Sequence, residues 1–515
     1  KFKKKSGNKM TSITVYDGTS TIGGNKIYLE EDEKGVFLDF GMNFKKYEVY
    51  YQEFLTSRGI RGIYDLMQLD LIPKLNIYRK DLVPSDFDLI KYPKLNVNAI
   101  LLTHAHMDHF GNIGLLDPIF PIILSPSTLM LLKGMLDCTT AMLGTDVAYY
   151  SPKIANKDKR ILGTDRTRNI GRDFICTENF SESLTDFMMT SVKGRKVYEK
   201  GTISNLENFP SNFKIKAFEV DHSIFGSTAF LLSGDKTIAY TGDFRLHGKK
   251  GKNSEDFIHQ AKDASILIIE GTRAAKEDVS ESEEIVYENC RRAVEVAKGL
   301  VVADFSARNF ERLEIFKNIA KKVGRSLVIS SKDAYLLHAL EKADGVNRTN
   351  NLFIFGELRG GVRNWEDKFL KEEVDISYID PREISKDPEN FIICLSLLDI
   401  KNLLDIKPES GTYIYSSSEA FEEESEFDFI RLFNWLNYFG FKVYGIEVVE
   451  EEGKLKPKFK KGFHASGHAS IKDLTWAIDC IDPDIIIPVH TDNPDWFGEN
   501  FDKAVLLKDS ETYKV

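Results

Sequence analysis

The sequence predicts an α/β fold in which a βαβ-type unit is inserted into a β-rich frame. Three observations carry this. Strand-length apolar runs separated by glycine turns fill much of the first half. Near residue 286 the texture changes to strict alternation of amphipathic helices and short buried strands, the mark of a mostly parallel sheet. From about residue 454 a glycine-containing loop, one helix and one buried strand return to the first pattern.

The elements follow in order. "SITVYDG", "NKIYLEED" and "KGVFLDFG" read as strands with glycine turns between residues 12 and 40. "VNAILLT", "STAFLLSG", "KTIAYTGDF" and "ASILIIEG" continue as buried strands. "ESEEIVYENCRRAVEVAKG" is an amphipathic helix, "LVVADFS" a strand, and "ARNFERLEIFKNIAKKVG" a second helix. "SLVISS" is again a strand and leads into the helix "KDAYLLHALEKA". "IKDLTWAIDCI" and "DIIIPVH" close the pattern as a helix and a buried strand. Segments 44–96 and 125–210 match no compact pattern and read as insertions.

With 515 residues the chain exceeds one ordinary core, so two domains are expected. The block boundaries are 10–285 with 455–515 for the frame and 286–454 for the insert, and "KFKKKSGNK" (1–9) reads as a basic tail ahead of a native start at Met10. The apolar runs are far short of a membrane span. Five scattered cysteines with no CxxC pair suit free thiols in a cytoplasmic protein, so a metal site here must use histidine and carboxylate. A net charge of −10 argues against a broad nucleic-acid-coating surface but leaves room for a local basic groove.

The chemistry concentrates in "THAHMDH", which places His104, His106, Asp108 and His109 directly after a buried strand. Crowded neutral imidazoles gain a purpose when they share a divalent cation; zinc takes nitrogen at about 2.0–2.1 Å and carboxylate oxygen at about 2.0–2.2 Å. Asp39, His222, Asp243 and His490 are further polar residues at strand ends, where α/β sheets place their chemistry.

These residues resemble the metallo-β-lactamase superfamily: an early Asp (Asp39), HxHxDH (His104 to His109), a later His (His222) and a later Asp (Asp243). More narrowly the chain resembles the β-CASP nucleases, with Glu270 in "LIIEGT", His468 in "HASGHAS" and His490 in "PVH" at their three added motifs. "HASGHAS" followed by "PVH" is most like ribonuclease J, in its compact archaeal form without a C-terminal domain. The resemblance runs from Met10 to about residue 500. It implies an αββα metallo-β-lactamase sandwich carrying an inserted β-CASP domain.

The resemblance also implies roles. Two Zn²⁺ are expected per chain, with Mn²⁺ or Mg²⁺ as substitutes. His104, His106 and His222 would hold one, Asp108, His109 and His490 the other, and Asp243 would bridge. Asp39 would orient a ligand or the water. An activated water would attack a phosphodiester, leaving a 5′-phosphate, with His468 as donor to the leaving oxygen and Glu270 fixing its tautomer. A histidine at position 490 favours single-stranded RNA as substrate. His464, Ser466, Gly467 and His468 resemble a phosphate pocket, with Ser306 and Arg308 of "DFSARN" and the serines 416–418 as weaker phosphate contacts. Helix capping is the alternative for the serines of "HASGHAS".

The chain departs from its resemblance in reading "PVHTDN" and "VDHSIFGS", and in its long gaps before His104 and His222. The two insertions are candidates for a lid, a substrate guide or a homodimer surface. The expected function is a zinc-dependent ribonuclease, exonuclease from the 5′ end or endonuclease, in RNA processing or decay. The alternatives are a DNA-directed nuclease of the same fold and a non-catalytic nucleic-acid-binding paralogue.

Overall fold

A computed structural model describes residues 11–52, 54–140, 142–190, 197–274, 281–306, 308–371, 376–417, 426–451 and 454–515. The basic tail 1–9 and Ser418 lie outside the described residues.

Two sheets form the frame. The larger has eight strands, in the order Ile203–Asn205, Phe174–Cys176, Ile122–Leu124, Val97–Leu101, Lys34–Leu38, Lys26–Glu31, Thr11–Asp17 and Glu511–Lys514. The smaller has five: Lys214–Glu219, Thr228–Ser233, Thr237–Tyr240, Ile266–Glu270 and Ile485–Val489. Their facing sides interdigitate, Val15, Leu29, Leu38 and Leu101 meeting Phe230, Ile238, Ile268 and Ile487 in one buried cluster. Helices Gly251–Gln260 and Ile471–Ile481 cover the outer face of the smaller sheet through Phe257, Leu474 and Ile478. Helix Pro126–Cys138 contributes to the cluster on the outer face of the larger sheet. The frame is therefore an αββα sandwich.

All strands of a third sheet come from residues between 300 and 444: Ser377–Ile379, Leu352–Phe355, Ser326–Ile329, Phe391–Cys394, Leu300–Asp304, Gly411–Tyr415 and Phe441–Tyr444, every pair parallel. Its central strands are buried on both faces, as parallel sheets require, which is why "LVVAD" is continuously apolar up to Asp304. The insert packs on the frame through helix Ser331–Asp344 against Pro126–Cys138, where the bare Cα of Gly134 lets Leu336 and Ala339 approach. A buried polar cluster seals this contact: Lys133 pairs with Asp137, which accepts from Tyr149 at 2.6 Å and Tyr335 at 2.9 Å.

The two segments expected as insertions are not alike. Residues 125–210 supply Pro126–Cys138 and two strands of the eight-stranded sheet, so much of that stretch belongs to the frame itself. Segment 44–96 holds two short helices, Phe44–Glu48 and Tyr64–Gln68, and anchors itself through Ile63, Leu66, Met67 and Ile77. Short strands, with their hydrophobic signal diluted by loop residues, conceal the first case from periodicity. Among the described residues no helix is long and apolar enough to cross a membrane.

Candidate metal centre and active site

Parallel strands of both sheets end on one edge of the sandwich, and the functional side chains stand at those ends. Asp39 follows Lys34–Leu38, His104 follows Val97–Leu101, and Asp243 follows Thr237–Tyr240. Glu270 ends its strand and His490 follows Ile485–Val489. His222 follows Lys214–Glu219, an edge strand with exposed positions rather than the buried strand expected. Asp39 and His490 both take positive φ, 56° and 53°, which turns the chain sharply as it leaves the sheet.

Hydrogen-bond direction shows what the imidazoles offer. Thr103 gives its hydroxyl proton to Asp39 Oδ2 (2.9 Å), so its oxygen accepts from His104 Nδ1 (2.9 Å). His222 Nδ1 donates to the Gly467 carbonyl at 2.5 Å. Both Nε2 atoms therefore carry lone pairs, and they stand 3.0 Å and 3.2 Å from the single Nδ1 of His106. One proton at His106 would satisfy only one of them. Three ligand atoms around a tetrahedral zinc would be about 3.3 Å apart, by the Zn–N lengths of such sites. Asp243 Oδ2 completes the group at 3.6 Å from His104 Nε2 and 3.8 Å from His222 Nε2. These four residues fit a cation.

A second group adjoins it. His109 donates from Nδ1 to Asp39 Oδ2 at 2.8 Å, leaving Nε2, which has no hydrogen-bond partner, 3.2 Å from Asp243 Oδ2 and 3.8 Å from Asp108 Oδ2. His490 Nε2 stands 3.7 Å from Asp108 Oδ2, and the buried Oδ1 of Asp243 also accepts nothing. Ligand atoms of Asp108, His109 and His490 lie within 4.8 Å of one another, as do those of Asp243, His468 and His490. The fit is looser here than in the first group.

The electrostatics agree with a cation. Burial, with neighbouring imidazoles beside them, pushes His104 and His106 well below the usual histidine range, and burial lowers His222 to about 4. Burial also opposes charge on His109, but Asp243, Asp108 and Asp39 outweigh it and raise that histidine well above its ordinary value. The carboxylates call for positive charge beside His109, which a proton or a metal can supply.

Glu270, buried, accepts from the Phe244 amide at 3.0 Å and stands 2.9 Å from His468 Nδ1. Burial disfavours the His468 cation, yet Glu270 and Asp243 raise it to about 9. The His468 side chain keeps 21% of its surface exposed and Asp108 keeps 22%, against 2% for Asp243, so the first two form the open rim of the site.

The loop bearing His468 is fixed from several directions. Arg245, fully buried, donates to the Ser466 carbonyl and to Glu283 (both 3.0 Å) and pairs with Glu311. His247 Nε2 reaches the same carbonyl at 2.9 Å. Arg312 joins Glu283 at 2.7 Å and holds Ser416. Gly467 lies so close to the His222 ring that a Cβ would meet its Cε1 at 2.9 Å.

Among the expected phosphate contacts, His464 is corrected. Its ring is buried with Nδ1 2.8 Å from the Ser417 carbonyl and Nε2 2.7 Å from the Gly445 carbonyl, so both nitrogens are engaged by the insert's backbone. Ser470 caps helix Ile471–Ile481 with Asp473 in a reciprocal capping box, the alternative raised for these serines. Ser416 is held by Arg312 and the Phe463 carbonyl. Ser466 accepts from the His468 amide at 3.2 Å and keeps a hydroxyl proton to give. Ser306 is exposed, and Arg308 donates to the Ala105 carbonyl at 3.3 Å, next to His106. Periodicity and motif spacing missed Thr103, Tyr240, Asn25 and Arg245, which shape the site from behind and carry no ligand signature in sequence.

Residues 77–126 match the model of the metallo-beta-lactamase superfamily. The chain is 22% identical over 499 residues to ribonuclease J of Mycoplasma genitalium, covering 94% of this chain and 68% of that one. It is 22% identical over 510 residues to ribonuclease J of Pyrococcus abyssi, covering 93% and 90%. A crystal structure of a protein of unknown function from Enterococcus faecalis V583 superimposes with a TM-score of 0.68 at 20% identity, covering 98% of this chain and 100% of that one, and so shares the fold. Over most of its length the chain is therefore similar to ribonuclease J, and its residues 77–126 carry the pattern of the metallo-beta-lactamase superfamily.

Proposed function

We propose that this chain is a zinc-dependent ribonuclease that hydrolyses phosphodiesters of single-stranded RNA, leaving a 5′-phosphate. The observation that carries the reading is the meeting of His104, His106 and His222 with Asp243, beside Asp108, His109 and His490, under a His468 held by Glu270. The first four would hold one cation, and the other three a second, with Asp243 shared. Two divalent cations bound there would supply an activated water and neutralise the charge of the attacked phosphate.

The chain's own residues do the rest. Asp39, through Thr103 and His109, fixes the imidazoles with Nε2 turned inward. Glu270 holds His468 by Nδ1, leaving Nε2 to give a proton to the departing ribose oxygen. Arg308, Ser306, Ser466 and Gly467 would receive flanking phosphates; the Arg308 guanidinium, bonded to the Ala105 carbonyl next to His106, suits that charge. RNA is favoured over DNA because relatives matched over more than nine-tenths of this chain are named ribonuclease J, and because a histidine at position 490 resembles the motif of RNA-directed members.

The test is digestion of matched RNA and DNA oligonucleotides, labelled at both ends and carrying 5′-phosphate or 5′-hydroxyl. Zinc-dependent loss of RNA with a 5′-phosphate on the products supports the reading. The order in which the labels shorten separates 5′-end attack from internal cleavage. Equal cleavage of DNA, or none with zinc or manganese, sinks it.

A further inference from the structure

Behind the ligands a chain of hydrogen bonds runs from Asp39 to His490, and its direction is forced. The Asp39 carboxylate accepts from the Thr103 amide (2.8 Å), the Thr103 hydroxyl (2.9 Å), His109 Nδ1 (2.8 Å) and the Tyr240 hydroxyl (2.7 Å). Tyr240 has one proton and gives it to Asp39, so its oxygen offers Asn25 only lone pairs. Asn25 accordingly turns its amide nitrogen to Tyr240, at 3.3 Å. That same nitrogen lies 3.3 Å from His490 Nδ1. His490 Nδ1 is then an acceptor, and the neutral ring carries its proton on Nε2, the atom nearest Asp108. His104 and His222 have the opposite polarity, with Nε2 free.

Resting on the two-cation reading, we propose that Asn25 is a positioning residue for His490. Its amide holds the proton on the atom that would ligate, and this makes the site of Asp108, His109 and His490 the weaker of the two. Loading that site requires the Asn25 amide to turn over, so that its oxygen accepts from Nδ1–H. The present orientation leaves the buried Oδ1 of Asn25 without a hydrogen-bond partner, wedged against Gly18, where a Cβ would stand 2.4 Å away. Little is lost on that side when the amide turns. The opposing element is the Tyr240 oxygen.

Two variants release the constraint. Tyr240→Phe removes the oxygen that orients the amide, and Asn25→Asp replaces the amide with a carboxylate that accepts from Nδ1–H. Zinc is titrated into the chelator-treated full chain against a chromophoric competitor, with thermal melting as a check on folding. The wild-type chain is expected to bind one zinc tightly and a second at least about tenfold more weakly, the scale on which partners of metal ligands act. Each variant is expected to narrow that gap by tightening the second site. Damage to the fold would loosen both sites and cannot give this result. In parallel, selective ¹⁵N-histidine spectra of the chelated chain should show His490 protonated at Nε2 and His104 and His222 at Nδ1.

Equal affinities in the wild-type chain, a gap unchanged in both variants, or His490 protonated at Nδ1 would each overturn the role of Asn25 while leaving the metal centre standing. A chain that binds no zinc removes the underlying reading as well.

Discussion

Glu270 Oε2 stands 2.9 Å from His468 Nδ1, joining residues 198 positions apart at the rim of the ligand cluster. The carboxylate is anchored by the backbone amide that follows Asp243, so the histidine inherits its position from the metal loop. His468→Ala is expected to lower RNA turnover by about 10²- to 10⁴-fold, the range for loss of a general acid. Metal content should stay at the wild-type level. If elemental analysis shows that His468→Ala sheds metal, the residue is a ligand and its assignment as proton donor is wrong.

His106→Ala removes the nitrogen on which two lone pairs converge, and Asp108→Ala removes the exposed carboxylate of the looser group. Both should abolish cleavage with far-ultraviolet circular dichroism unchanged. Residual activity above about a hundredth of wild type in either variant would count against a shared cation centre.

Asp39→Asn isolates the outer hydrogen bonds from backbone strain, because asparagine tolerates the left-handed conformation that Asp39 occupies. The new amide must present protons to groups that already donate. Metal affinity is expected to fall about 10- to 100-fold, and stability by about 1–3 kcal/mol. Unchanged metal affinity by chelator competition would mean that Asp39 does not orient the imidazoles.

Asp333 supplies a pH test away from the metal. Burial pushes its carboxyl up to about 6; a Ser330 hydrogen bond opposes this and nearby Asp399 adds to it. A folded-state value above the unfolded one means the stabilising contribution is complete below about 3.9 and is lost as pH rises through about 6. Asp333→Asn should therefore raise the melting temperature at pH 7.5, with a gain of up to about 3 kcal/mol, and give no gain near pH 3.5. A gain of equal size at both values would show that ionisation is not the cause.

Gly41 tests the close packing behind Asp108. A Cβ there would sit 1.6 Å from the Asp108 carbonyl oxygen, a backbone atom that cannot swing aside. Gly41→Ala should cost more than about 3 kcal/mol, whereas Gly360→Ala, with nothing within 4 Å of the new methyl, should be nearly neutral. Similar denaturant midpoints for the two variants would refute the packing argument.

The candidate ligands could be picked out in sequence because "THAHMDH" crowds three imidazoles and because Asp243 and His490 close apolar runs, whereas His222 leaves an edge strand with exposed positions. The parallel sheet of the insert was legible because strand–helix alternation has few other meanings. Arg245 was hidden for the opposite reason: a buried guanidinium looks, in sequence, like any surface arginine after "TGDF". Tyr240 and Asn25 read as a strand aromatic and a turn residue, and only three-dimensional contact reveals their polarity. His464 misled because its motif neighbours do face the site, while its own ring is turned to the Ser417 and Gly445 carbonyls. The strands at 174–176 and 203–205 are three residues each, too short for any period to register.

Arg245 sits two positions beyond Asp243 and is ion-paired with Asp221 and, across to helices Glu283–Glu295 and Phe310–Val323, with Glu283 and Glu311. Separating those helices from the loop after Asp243 would leave the buried guanidinium with Asp221 as its one remaining carboxylate, at a cost of about 3–5 kcal/mol for each buried pair broken. The loop that carries Asp243 is thereby tied to the two helices that open the alternating half of the chain, so both are expected to give way together on denaturation and not one before the other.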